Sequence, residues 1–111
     1  MKEYYNATKK FHRHFKMKGT NNEDMQFRLN LMTEELGELA QAITRGKTRE
    51  EVIEENVDLF HLIIGNLISL GITLKEFDAV FWKKHEKIMN RKMKTINGKN
   101  RVSHYGDKKV K

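Results

Sequence analysis

Apolar residues recur with a helical period along most of the chain, and the polar positions between them contain clear helix boundaries. Three S/T-x-x-E sequences predict capping boxes that open helices: Thr20…Glu23, Thr48…Glu51 and Thr73…Glu76. A glycine suited to ending the preceding helix lies just before each: Gly19, Gly46 and Gly71. The pattern predicts an all-α fold, a bundle of four helices over roughly residues 3–17, 22–45, 49–70 and 74–94.

The apolar positions of the two central helices predict how much surface each one buries. On the second helix they form one stripe: Met32, Leu36, Leu39, Ala40 and Ile43. On the third they cover a wider arc: Val57, Phe60, Ile63, Ile64, Leu67 and Ile68. A helical hairpin with two flanking helices would leave part of that arc in water. We therefore expect a homodimer or homotetramer to cover it, the alternative being that helices 1 and 4 cover it all.

Composition narrows the class of protein. The 111 residues include no cysteine, which excludes disulfides and thiolate metal sites and fits a cytoplasmic location. No apolar run approaches the length of a membrane span, and the N-terminus lacks the apolar core of a signal peptide, so we expect no membrane partner. The net charge of +7 favours a polyanionic partner, although a lysine-rich solvated exterior explains it equally well.

Four acidic residues of the central helices fall in matching positions. The turn at Gly46-Lys47 is short, so the second and third helices are expected to pack antiparallel. Glu38 and Glu55 are equidistant from that turn, and Glu35 and Asp58 are too. Each helix carries its two acids three residues apart, on one face. The hairpin is therefore expected to bring the four carboxylates into one patch about one helical turn tall.

Clustered carboxylates repel one another and must either take up protons or hold a cation. Ligation by oxygen alone favours Mg²⁺, for which Mn²⁺ can substitute, over Zn²⁺, which prefers His or Cys ligands. The alternative is that these are ordinary solvated helix residues, partly paired with Lys and Arg. Their symmetric register beside an apolar seam favours the metal.

This two-part acidic motif resembles that of a known family. Glu34-Glu35-Leu36-Gly37-Glu38 is followed, after residues 39–54, by Glu55-Asn56-Val57-Asp58. The order and spacing resemble the all-α nucleoside triphosphate pyrophosphohydrolases, the MazG-like group, over roughly residues 22–94. That group also includes dUTPase-like and phosphoribosyl-ATP pyrophosphohydrolase-like members. The resemblance therefore indicates the type of reaction more specifically than it indicates the substrate.

The resemblance implies Mg²⁺-dependent hydrolysis of a (d)NTP to a nucleoside monophosphate and pyrophosphate. It also implies that Glu35, Glu38, Glu55 and Asp58 are the metal ligands. Glu34 lies one residue off their face. It either orients or deprotonates the attacking water with Glu35 and Glu38 nearby, binds a second metal, or is simply solvated.

Residues that hold the rest of the nucleotide are predicted from charge and aromaticity. A basic stripe ends the fourth helix and resembles the phosphate-binding cluster of the family: Lys84 (or Lys83), Lys87, Asn90, Arg91 and Lys94. Three aromatic residues are candidates for stacking on the base: His12, Phe15 and Trp82. For Trp82 a place in the core is an alternative, and His61 is interpreted as a core or interface histidine rather than a general base.

The C-terminal end differs in composition from the helices. We expect residues 1–95 to form the catalytic domain and 96–111 a basic tail, with a turn at Asn97-Gly98 and a short extended segment over 101–105. Lys99, Arg101 and residues 103–107 either close over the triphosphate or fray.

A different class of function is also compatible with the sequence. The alternative to an enzyme is a basic helical protein that binds nucleic acid or a partner without catalysis. The chain has no helix-turn-helix spacing, zinc motif or basic-aromatic signature, so nucleic acid is the less favoured partner. A family member that binds nucleotides without turnover is a third interpretation, disfavoured because all four acidic positions are intact.

Overall fold

The computed structural model of the protein describes residues 1–17 and 22–102, except the side chains of 22–24 and of 101–102. Four α-helices dominate it: α1 (Lys2–His14), α2 (Asn22–Thr44), α3 (Arg49–Ser69) and α4 (Leu74–Met89). Two short strands follow, β1 (Met93–Ile96) and β2 (Lys99–Val102). The predicted all-α fold class of four helices is confirmed. Oligomerisation stays a prediction.

Helix boundaries follow the predicted capping residues where the structure describes them. The Thr48 hydroxyl accepts a hydrogen bond from Glu51 N at 3.2 Å and caps α3, and α4 begins directly after Thr73. Gly46 and Gly71 have positive φ angles of 64° and 68°. Their N–H groups donate to Ile43 O and Ile68 O, which closes the ends of α2 and α3. The predicted boundary at Gly19 and Thr20 lies outside the described residues.

Two helices end earlier than predicted. α1 ends at His14 because Lys16, with φ 52°, adopts the left-handed conformation and Met17 N donates back to His12 O. α4 ends at Met89 rather than at residue 94 because the chain enters a β-hairpin there. Asn97 and Gly98 form its turn with φ angles of 53° and 75°, as a type I′ turn requires.

The chain divides into two compact units, Met1–Leu74 and Lys75–Lys111. In the first, α2 and α3 form an antiparallel hairpin and α1 packs on α3. Tyr5 Oη of α1 donates to Ile72 O at 3.0 Å. The second unit contains most of α4 and the two antiparallel strands, with Met93 paired to Val102. The predicted division between 1–95 and 96–111 stays a prediction.

The buried centre of the first unit is small and partly polar. Ala42, Ile64 and Leu67 form its apolar part. Four polar residues are equally buried among the described side chains: Thr8, His12, Arg28 and Ser69. Such polar burial is costly unless hydrogen bonds compensate it, so these residues are candidates for a function.

The apolar stripe predicted for α2 is wrong in part. Leu36 and Ile43 are 56% and 61% exposed, and Ala40 is exposed too. The side of α2 that turns inward carries Arg28, Leu31, Met32, Glu35, Leu39 and Ala42. On α3, Ile64 and Leu67 are buried as predicted, but Val57, Phe60 and Ile63 remain exposed. Within the described residues, these apolar side chains of the hairpin thus stay exposed.

Among the described residues, no single helix is long and apolar enough to cross a membrane, and α3 and α4 meet the length and composition test only as a bent pair.

Candidate active site

The acidic patch predicted across the α2–α3 hairpin is formed in the structure. One carboxylate oxygen from each of Glu35, Glu55 and Asp58 lies within 4.8 Å of the other two. Glu38 lies close enough to both Glu35 and Glu55 for its charge to raise the pKa of each. The short turn at Gly46 makes the helices antiparallel. The three-residue spacing on each helix places both of its acids on the face that meets the other helix. We call these four residues the carboxylate cluster.

The electrostatics of the carboxylate cluster are unfavourable without a counter-charge. Glu35 Oε2 and Glu55 Oε2 are shielded from solvent and lack a hydrogen-bond donor within the described residues. Desolvation, followed by repulsion from Glu38 and Asp58, raises the pKa of both carboxyl groups. Lys47 opposes this shift at Glu55. The cluster therefore favours either a bound proton or a bound cation.

The donor set fits a hard divalent cation. Its ligands are oxygens only, they converge within the reach of one ion, and two of them lack another partner. Glu35 and Glu55 are half-buried, whereas Glu38 and Asp58 keep contact with solvent, which leaves room for water and substrate oxygens. Glu34 is exposed on α2 and lies outside this group of converging oxygens. Its role stays a prediction.

A cavity of about 630 Å³ adjoins the carboxylate cluster, and Glu35 and Asp58 form part of its wall. The remaining wall is largely apolar and aromatic: Thr8, Phe11, His12, Met17, Phe27, Arg28, Leu31, His61, Leu62 and Ser69. Cavities of this size and character hold small organic ligands. The cavity lies within the first unit, so its acidic edge and its aromatic wall belong to one body.

Of the three residues predicted to contact the base, one lies in this wall. His12 is buried there, and burial, Arg28 and His61 lower its pKa, so it is neutral at pH 7. Phe15 is 61% exposed and packs on Phe11 with ring centroids 5.0 Å apart instead of lining the cavity. Trp82 belongs to α4, is 63% exposed, and makes edge contacts with Phe81 and His85. The alternative of a core tryptophan is wrong.

Sequence reasoning missed several cavity residues. Phe11 and Phe27 were not singled out as ligand contacts because apolar aromatics usually belong to a core. His61 is exposed and lines the cavity, with its ring 6.1 Å from Phe11, rather than being buried in a core. A usable signal existed for Arg28, a cation two helical turns before Glu35 and on the same face.

The predicted phosphate-binding residues do not form one helical stripe. Lys84 and Lys87 belong to α4, and Lys83 beside them is exposed. Asn90 and Arg91 follow the end of the helix, and Lys94 is in β1. The early end of α4 is the reason, because helical spacing no longer applies beyond Met89. Lys99 is exposed in β2, whereas the side chain of Arg101 and residues 103–107 lie outside the described part of the chain.

Comparison with known proteins agrees with this geometry. The phosphoribosyl-ATP pyrophosphohydrolase family matches residues 7–85, a span that includes the whole carboxylate cluster and the whole cavity wall. Neither the curated proteins nor the solved structures contain a significant match. A family match over more than half of the chain is decisive for its class. The chain belongs to the phosphoribosyl-ATP pyrophosphohydrolase family, within the all-α nucleoside triphosphate pyrophosphohydrolase superfamily, and is a hydrolase that acts on pyrophosphate bonds.

Proposed function

We propose that this protein is a Mg²⁺-dependent nucleoside triphosphate pyrophosphohydrolase that converts a (d)NTP and water to a (d)NMP and pyrophosphate. The observation that carries the proposal is the carboxylate cluster, in which Glu35 Oε2 and Glu55 Oε2 are buried without a hydrogen-bond donor. A structural role for these acids gives no reason to bury two unpaired oxygens, whereas a metal site does. The non-catalytic alternative, a nucleic-acid- or partner-binding protein, is disfavoured by the family match.

The reaction needs alignment and charge neutralisation more than covalent catalysis. Water attacks the α-phosphorus, the bond from that phosphorus to the bridging oxygen breaks, and pyrophosphate leaves with the electron pair. A divalent ion bound at the cluster supplies charge neutralisation and a more acidic water. Glu35, Glu38, Glu55 and Asp58 would hold that ion, and Glu34 is the candidate to orient the water or accept its proton.

The cavity beside the cluster is the proposed place for the base and sugar. Phe11 and Phe27 offer aromatic faces for stacking, and stacked bases gain roughly 1–3 kcal/mol each in other systems. His12 is neutral and buried in the wall, so it can offer one donor and one acceptor to a base edge. The triphosphate then extends from the cavity toward Glu35 and Asp58, which border it.

Phosphate contacts are proposed for the cationic residues of the second unit. Lys84 and Lys87 are three positions apart on α4 and share one face of it. Asn90, Arg91 and Lys94 follow along the chain. Assembly into a homodimer or homotetramer and a cytoplasmic location complete the proposal. The exposed side chains of Val57, Phe60 and Ile63 support assembly, because a second subunit would remove them from water.

Phosphoribosyl-ATP is a second candidate substrate, and the name of the matching family favours it. It carries the same triphosphate as a simple NTP, so the chemistry at the carboxylate cluster is shared. The two differ in the group attached to the base, which the cavity must admit or exclude.

A hydrolysis assay in oxygen-18 water tests the reaction and the substrate together. Each (d)NTP and phosphoribosyl-ATP would be incubated with the protein and Mg²⁺, Mn²⁺ or EDTA, and the products analysed by phosphorus NMR and mass spectrometry. We expect the label in the monophosphate and an unlabelled pyrophosphate, with EDTA abolishing turnover. Label in pyrophosphate, or orthophosphate as the product, would contradict attack at the α-phosphorus. Turnover of phosphoribosyl-ATP alone would replace the first candidate substrate by the second.

A further inference from the structure

A buried arginine ties the two helices of the carboxylate cluster together. Arg28 of α2 is only 8% exposed, although a guanidinium stays charged at any ordinary pH. Its Nε donates to Asn66 Oδ1 at 2.8 Å and its Nη2 donates to Leu62 O at 2.9 Å. Both acceptors belong to α3. Burying a charge is costly unless such bonds compensate it, so the side chain is held in this one position.

Gly65 provides the space that this guanidinium occupies. A Cβ at Gly65 would collide with Arg28 Nη2 and lie 2.8 Å from Arg28 Cζ and 3.0 Å from His12 Nε2. Glycine weakens a helix interior relative to alanine, so its presence there calls for a compensating reason. The reason is steric, because only glycine lets the arginine lie flat on α3. Gly37 of α2 is different, since a Cβ there would meet nothing within 4 Å.

Asn66 extends the same connection to a second turn of α2. While its Oδ1 accepts from Arg28, its Nδ2 donates to Met32 Sδ at 3.0 Å. Arg28 and Met32 are four residues apart on one face of α2. Asn66 of α3 therefore forms hydrogen bonds with two successive turns of α2. These bonds fix the position of one helix along the axis of the other.

That displacement determines whether the carboxylates converge. Arg28 lies two helical turns before Glu35, and Asn66 lies just over two turns after Asp58. A slip of one turn would move the helices by about 5.4 Å. The three ligand oxygens lie within 4.8 Å of one another, so even part of such a slip would separate them. Arg28 also lines the same cavity as Glu35 and Asp58.

We propose that Arg28 is a positioning residue that holds the carboxylate cluster in register for metal binding. Gly65 leaves the space that the Arg28 guanidinium occupies. The inference rests on the metal site of the proposed function. It assigns no contact between Arg28 and the substrate. Its consequence is that changes about two helical turns from the nearest ligand alter metal affinity.

Metal binding without substrate tests this role. Mg²⁺ and Mn²⁺ affinities would be measured by titration calorimetry for the wild type and for Arg28→Met, which keeps an apolar chain but loses the charge and donors. We expect binding about tenfold weaker, as for other residues that support metal ligands. The Mg²⁺ midpoint of pyrophosphate release should rise by the same factor, while kcat at saturating Mg²⁺ stays near that of the wild type. Arg28→Lys, which keeps the charge but not the forked donors, should fall in between.

A matched pair of glycine substitutions tests whether Arg28 needs the space at Gly65. Gly65→Ala should weaken metal binding about as much as Arg28→Met, whereas Gly37→Ala, also within a helix, should leave metal affinity unchanged. The double variant Arg28→Met with Gly65→Ala should bind no worse than either single variant, since both remove one interaction.

The outcomes separate the inference from the proposed function. Folded Arg28→Met and Gly65→Ala variants with wild-type metal affinity would overturn the positioning role and leave the metal site intact. If either variant does not fold, Arg28→Lys decides, and wild-type affinity in that variant would overturn the inference. A wild-type protein that binds neither Mg²⁺ nor Mn²⁺ would instead overturn the proposed function.

Discussion

The α2–α3 hairpin and α4 carry charged residues at the same helical spacing, yet of these two regions only the hairpin brings like charges from two helices together. On the hairpin, carboxylates of two helices meet within 4.8 Å, and two of their oxygens are shielded from solvent. Along α4, which the structure describes throughout, no side chain is buried. Spacing alone places charges on one face. A packed partner helix is needed before those charges perturb one another.

The difference predicts unequal consequences for mutations in the two regions. In the hairpin, a charge sits among like charges at partly desolvated positions, where electrostatic effects are strong. On α4, an exposed lysine is surrounded by water and screened by salt. Substitutions in the hairpin should therefore affect catalysis far more than substitutions on α4.

The largest effect is expected from removing one proposed metal ligand of the carboxylate cluster. Asp58→Asn and Glu35→Gln should each lower kcat/KM by about a thousandfold, because the proposed catalysis depends on preorganised charge and on a bound metal. Steady-state pyrophosphate release at saturating Mg²⁺ measures this. Glu50→Gln, an exposed acid in the first turn of α3, is the matched control and should retain activity. Equal losses of kcat/KM in the Glu50 and Asp58 variants would contradict a special role for the carboxylate cluster.

A smaller effect is expected in the cavity wall. Phe11→Ala should raise KM about tenfold with little change in kcat, because loss of a stacking face weakens binding of substrate and transition state alike. Trp82→Ala on α4 is the comparison that sharpens the account. A larger increase in KM for Trp82→Ala than for Phe11→Ala would indicate that the base binds at α4 rather than in the cavity.

The basic residues of α4 should produce weaker, salt-sensitive effects. Lys87→Ala is expected to raise KM about threefold to tenfold at low ionic strength and less in 0.5 M salt, because Lys87 is partly exposed and salt screens charges at the surface. Lys75→Ala, at the exposed start of α4, should leave KM unchanged. A salt-independent loss for Lys87, or an equal effect for Lys75, would argue against a specific phosphate contact.

The smallest effect concerns stability without metal. Burial and neighbouring carboxylates raise the pKa of Glu35 and Glu55 above the ordinary value of 4.5 in the folded state. The folded protein then binds more protons than the unfolded chain above pH 4.5, so the free energy of unfolding falls as pH rises through this window.

Neutralising one of these groups should relieve that cost. Glu55→Gln is expected to raise the Tm of the metal-free protein at pH 7 by a few degrees and to abolish the rise in Tm that Mg²⁺ produces in the wild type. Calorimetry in EDTA and in Mg²⁺ measures both. A lower Tm for the metal-free variant would show that Glu55 stabilises the fold rather than burdening it.

The sequence predicted the structure of the α2–α3 hairpin better than it predicted the structure of α4. The α2–α3 hairpin was predictable because Thr48, Gly46 and the paired acids act over a short loop, where the order of residues nearly determines geometry. The end of α4 was not, because the β-hairpin closed by Asn97 and Gly98 competes with helix extension through pairing between separate segments. Arg28 and Gly65 were missed for a similar reason. Their roles depend on contact between helices that neither segment reveals by itself.

The most direct test of the central claim is pyrophosphate release by the wild-type protein as free Mg²⁺ is raised from zero in the presence of a nucleoside triphosphate. If the carboxylate cluster is a metal site, activity should be absent in EDTA, appear with added Mg²⁺, and remain absent in Glu38→Gln at the same Mg²⁺ concentration. Turnover that persists in EDTA, or that Glu38→Gln retains in full, would contradict the account.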